Sequence, residues 1–242
     1  MSIVKGMGKD GKIPLKPVSR LQRDVIDDIE QAVINDPLLK QIEMLDLSGE
    51  KYTIYTITGM FLRAVAIALG SGKEINAFGL LTFYRNRRDN EEAEKTGNLV
   101  GEIEPGEVLR DIIDGKEPKL DSLEIKSDTF KTIIRIPVYS GFDEEDKATC
   151  LAIQTITAKF LTHYKLGISP NDWIIYLIAF LFIKNALLKA MNDAIANGEG
   201  TVNIADTVEI TAKKRKNRIE ITTKPGKECK LEIKGDNKTE VD

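Results

Sequence analysis

The chain has 242 residues, 42% of them hydrophobic and 30% charged, with a formal net charge of −3. That length holds one sizeable core or two small ones, and the balance excludes a low-hydrophobicity disordered chain and a collagen-like repeat. Two cysteines, Cys150 and Cys229, are too few for a disulfide framework and point to free thiols inside a cell.

In chain order, residues 1–18 carry Gly6, Gly8, Gly11, Pro14 and Pro17 and no apolar h-region, so they read as an extended basic arm and not a secretory signal. Its Lys5, Lys9, Lys12 and Lys16 are candidate partner contacts. Ser19 with Gln22 forms a capping-box pattern, and Leu21, Val25, Ile29 and Val33 predict an apolar helical stripe. Asn35-Asp36-Pro37 ends that helix, and Asp36 caps a second one through Leu45. Tyr52 to Ile57 alternates like a strand, but Gly59 to Leu69 is helical in spacing, which places a helix start near Thr58. Residues 90–118 are acidic and glycine-broken, a long loop with one short helix over Glu107 to Asp114.

Leu123 to Val138 alternates as two half-buried strands joined through Ser127-Asp128, a β-hairpin. Asp143 to Leu166 returns to helical spacing and stops at Gly167. Ser169-Pro170-Asn171-Asp172 supplies an N-cap, a first-position proline and an acid for a long helix from Pro170 that closes at Asn197-Gly198. That helix contains eleven consecutive apolar residues, Trp173 to Ile183, fewer than the roughly 20 of a bilayer span, so burial inside protein is expected and no membrane contact. Val208-Ile210-Ala212, Ile219-Ile221 and Leu231-Ile233 read as three strands with turns at Lys214 to Asn217 and Pro225-Gly226. The expected class is α+β. A mainly helical body with a β-hairpin spans residues 19–198, an antiparallel β tail spans 199–234, and residues 235–242 form a disordered tail.

His163 is the sole histidine, and Cys150 lies thirteen positions away on the same expected helix. A rise of about 1.5 Å per residue puts them roughly 20 Å apart, so they form no dyad. Gly70-Ser71-Gly72-Lys73 is not a phosphate loop, because Ile67 and Glu74 stand where Gly and Ser or Thr are required. Asp24, Asp27 and Asp28, and the acids from Asp143 to Asp146, lie at helix starts and read as solvated caps. No enzyme, cofactor or metal is expected.

Charge is unevenly spread. Residues 1–23 carry +5 and the run Lys213, Lys214, Arg215, Lys216 and Arg218 another +5, leaving the rest near −13. Five cations at a hairpin tip suit phosphate backbones or an acidic protein face.

Gly72-Lys73-Glu74-Ile75, Phe78-Gly79, Thr82-Phe83, Arg85, Arg87 and Arg88 are similar to the HU/IHF family of histone-like DNA-bending proteins at its helix-to-arm junction. Pro105-Gly106 with Leu109-Arg110 is similar to the start of that family's last helix. This resemblance implies a dimer gripping the minor groove with paired β arms, although Glu91, Glu92 and Glu94 follow in the place of the arm. The order of arm, helical corner, apolar helix and β tail resembles instead tailed-phage head-to-tail connector or adaptor proteins. That likeness implies a structural, homo-oligomeric ring in the virion, assembled in the host cytoplasm, which contacts a portal or tail component and lines a DNA passage. The connector is the leading expectation and the HU/IHF-like protein the alternative.

Overall fold

An apolar stripe and a proline stop build the first corner of the fold. Helix α1 (Arg23–Ile34) buries Ile26, Ile29 and Val33 along one side, while Val25 is only half-buried. In this computed structural model the described residues are 22–42, 53–69, 74–85, 98–99, 101–161, 169–216, 218–226 and 231–232. The arm, the Ser19 cap, Leu21, His163, Cys229 and the expected tail 235–242 lie outside them. Asp36 Oδ1 accepts from the Leu38 amide at 2.8 Å and starts α2 (Pro37–Lys40), a single turn and shorter than expected.

Helix α3 (Thr53–Leu69) begins five residues before the expected start, and no strand forms over its first turns. Ile54, Tyr55 and Ile57 are buried by neighbouring helices, and Glu30 Oε1 of α1 accepts from the Tyr55 amide at 2.8 Å. Tertiary burial and a borrowed cap thus override the strand preference of a Thr-Ile-Tyr-Thr-Ile run.

The expected loop over 90–118 contains more structure than foreseen. Strands β1 (Ile75–Ala77), β2 (Leu81–Arg85), β3 (Asn98–Leu99) and β4 (Gly101–Pro105) precede α4 (Glu107–Ile113), the short helix that the sequence predicts. One antiparallel sheet runs in the order β1-β2-β4. Strands β5 (Leu120–Lys126) and β6 (Ile133–Tyr139) form the expected hairpin, pairing from Leu120 with Tyr139 to Lys126 with Ile133.

Helix α5 (Glu144–Leu161) starts at Asp143, whose Oδ1 accepts from the amides of Glu145 and Asp146, both at 2.9 Å. The following long helix does not begin at Pro170. Pro170–Asp172 form a 3-10 turn, Trp173 takes a left-handed φ of 56°, and α6 (Ile174–Asn197) starts beyond it. It closes as expected on Gly198 at φ 90°.

Residues Ile174 to Ile183 are each at most 1% exposed. By length and composition α6 is apolar enough to cross a membrane, and here it is the central rod of the core, enclosed by α1, α3 and the last sheet.

Strands β7 (Glu199–Ile204), β8 (Val208–Arg215) and β9 (Arg218–Pro225) form a second antiparallel sheet in chain order. The expected third strand is not part of it. Strand β10 (Leu231–Glu232) pairs with β3 instead, and the missing member is β7, which the sequence reading passed over.

Candidate nucleic-acid interface

The basic tip is built by strand register. Pairing of β8 with β9 extends to Arg215 opposite Arg218, so two residues, Lys216 and Asn217, make the whole connection. Val208, Ile210 and Ala212 of β8 point into the core, which sends Lys213 and Arg215 to the opposite face. The five cations are gathered at one exposed end as the sequence predicts.

Their charge is partly answered. Lys213 Nζ lies 3.3 Å from Glu199 Oε1, Arg215 Nε donates to Glu220 Oε2 at 2.9 Å, and Lys214 Nζ donates to the Ile195 carbonyl at 3.2 Å. The Arg215 hydrogen bond holds the Glu220 carboxyl below its ordinary range. Among the described residues no ion pair involves Lys216 or Arg218, so these two present the least compensated charge. Exposed pairs of this kind contribute little to stability and exchange readily for a phosphate.

The other junction singled out by sequence also has a defined geometry. Phe78 and Gly79 both adopt φ 69°, the signature of a type I′ turn, closed by the Leu80 amide on the Ala77 carbonyl at 3.1 Å. Asn76 Oδ1 accepts from the Gly79 amide at 2.8 Å. A left-handed phenylalanine is strained, and it is held because its ring is fully buried against Phe61 and Tyr176 at centroid distances of 5.1 and 4.4 Å. The turn in turn seats α4: the Gly106 amide donates to the Leu80 carbonyl and the Val108 amide to the Gly79 carbonyl, both at 2.8 Å.

Two buried polar groupings were not foreseen. Asp172, expected as an acid in the first turn of the long helix, lies in the 3-10 turn before it and is 1% exposed, and its Oδ1 accepts from Ser127 Oγ at 2.7 Å. Gln154 bridges the same region, donating to the Pro170 carbonyl at 3.0 Å and accepting from the Tyr176 amide at 3.1 Å. These bonds lock the β5–β6 hairpin and α5 onto the start of α6. Below them the Tyr139 hydroxyl donates to Asp146, and burial pushes the Tyr139 hydroxyl, the Cys150 thiol and the Tyr176 hydroxyl all well above their ordinary values. Cys150 is 2% exposed, so its thiol is packed into the core. The signal that could have found Asp172 is its place directly before an all-apolar helix, where a solvated acid has no room.

Among the described residues no group of three or more His, Cys, Asp or Glu could hold a metal ion. Compared with known protein families, curated proteins and solved structures, the chain matches none.

Proposed function

We propose that this protein is a non-enzymatic, architectural DNA-binding protein of HU/IHF-like character that contacts the phosphate backbone through its hairpin ends. The observation that carries this reading is the order α3, β1, β2, β3, β4, Pro105-Gly106, α4, with one sheet in the order β1-β2-β4 and β3 paired outside it. It supplies the helix-to-arm junction and the Pro-Gly start of a closing helix that the resemblance implies at those residues. The basic end formed by Lys213, Lys214, Arg215, Lys216 and Arg218 supplies cations on a protruding hairpin, a geometry that grips a polyanion without reading its sequence. The connector expectation rests on the order of arm, helical corner, apolar helix and β tail; its arm of residues 1–18 lies outside the described residues, and the corner, the apolar helix and the β tail are present without pointing to a ring.

Fluorescence anisotropy on a labelled duplex of arbitrary sequence tests the proposal. Affinity should fall steeply with salt, with a log–log slope of about −0.9 per phosphate neutralised. Replacing Lys216 and Arg218 by alanine should flatten that slope by roughly two such increments. A full-length protein with no duplex affinity at low salt, or a slope unmoved by the double substitution, removes the reading.

A further inference from the structure

The turn at the start of β8 repeats the turn at the start of β2 bond for bond. Ala205 and Asp206 adopt φ 52° and 55°, as Phe78 and Gly79 do at 69°. The Thr207 amide closes on the Ile204 carbonyl at 2.9 Å, matching Leu80 on Ala77 at 3.1 Å. Asn203 Oδ1 accepts from the Asp206 amide at 2.9 Å, matching Asn76 and Gly79 at 2.8 Å.

The Pro-Gly steps correspond as well. Pro105 pairs with Leu81 and Pro225 with Val208, in each case the first residue of the middle strand. The Gly106 amide donates to the Leu80 carbonyl and the Gly226 amide to the Thr207 carbonyl, both at 2.8 Å. A Cβ on Gly106 would land on the Gly79 carbonyl, and one on Gly226 on the equivalent Asp206 carbonyl. Both sheets run antiparallel in chain order, and each follows two long helices, α1 with α3 and α5 with α6.

We infer that residues 23–113 and 144–226 are two copies of one helix-helix-sheet unit, fused so that a single chain takes the place of a dimer. The packing explains why they belong together. Helix α1 of the first copy lies on α6 of the second, and α5 of the second lies on α3 of the first. Across the junction β4 meets β9, where Thr223 Oγ1 donates to the Ile103 carbonyl at 2.9 Å. Each unit therefore completes its core with a helix of the other, and the surface that would recruit a second chain is already covered from within.

The copies have diverged at their ends. Between the second and third strands of its sheet the first unit carries residues 86–100, with β3 among them, and the second carries only Lys216 and Asn217. After its Pro-Gly step the first unit has α4, where the second has β10, which crosses to β3 of the first. The fused body thus repeats one plan with different ends, and among the described residues the compact basic end belongs to the second unit.

The test needs no ligand and is independent of the DNA-binding proposal. Light scattering of the full chain should give the single-chain mass of 27.0 kDa at all concentrations. A specific protease site inserted between Lys116 and Glu117, both exposed, then severs the connection between units. The cut chain should keep its mass and helical circular dichroism, its two fragments parting only in denaturant. A cut chain that loses its fold, with neither fragment retaining helical signal, also upholds the mutual dependence of the units. Two separately folded fragments, or an uncut chain of twice the mass, would overturn the inference.

Discussion

Tyr176 is 0% exposed, and its hydroxyl has no hydrogen-bond partner among the described residues. The ring is well used, stacked edge-on to Phe78 at 4.4 Å and tilted against Trp173 at 5.5 Å. Tyr176→Phe keeps those contacts and deletes only the oxygen. A buried hydroxyl without a partner costs about 1–3 kcal/mol, so its removal, less a small term for the space left, should stabilise the fold by about 1–2 kcal/mol.

For a chain of this length that corresponds to a rise in Tm of roughly 2–8 °C. Tyr139→Phe is the matched control, because its hydroxyl donates to the Asp146 carboxylate, and losing a bond to a charged acceptor should destabilise by about 1.5–3 kcal/mol. Urea melts followed by far-ultraviolet circular dichroism, compared at constant m, measure both. A Tyr176→Phe variant less stable than the parent by more than about 0.5 kcal/mol would show that the hydroxyl is engaged and would falsify the reasoning.

Gly106→Ala and Gly226→Ala each drive a methyl group into a backbone carbonyl, and each should cost about 1–3 kcal/mol or more in the same urea assay. A neutral Gly226→Ala would break the equivalence of the two Pro-Gly steps. Glu30→Ala removes the acceptor for the Tyr55 amide at the start of α3 and should cost about 1–2 kcal/mol, whereas a shift under half of that would mean the first turn of α3 is capped otherwise. In a Cys229→Ser background, Cys150 should resist thiol reagents at pH 8 and react at the rate of a free thiol in denaturant, because burial raises its pKa and leaves almost no thiolate in the folded state. Rapid labelling of the native protein would contradict its enclosed position.

Local signals with a single physical cause were legible in the sequence. Asp36-Pro37 reads as a stop and a cap because one ring forbids the old helix and one carboxylate starts the next. Gly198 reads as a terminus because only a residue without Cβ takes that conformation cheaply. The β5–β6 alternation is visible because one face is buried and the other wet.

What escaped depends on partners distant in sequence. Thr53 to Ile57 is helical because of neighbours that the run itself does not encode. Strand β7 hides behind Gly200, which weakens any strand signal and is required because a Cβ there would strike the Ala190 carbonyl of α6. The cations of the tip were legible as a cluster, but their partners Glu199 and Glu220 emerge only from the register of three strands. The two-unit repeat was invisible because its shared chemistry lies in backbone bonds, with Asn76 and Asn203 and the two Pro-Gly steps the identities that mark it.

The exchange of helices also sets a timetable for synthesis. Helix α3 emerges from the ribosome with Ile54, Ile57, Met60 and Phe61 bare, and the α5 and α6 surfaces that will cover them are translated about a hundred codons later. At typical elongation rates that interval lasts on the order of 5–20 s, long enough for nascent-chain chaperones to hold the first half. Its folding is therefore a late closure around α6, the rod on which both halves converge.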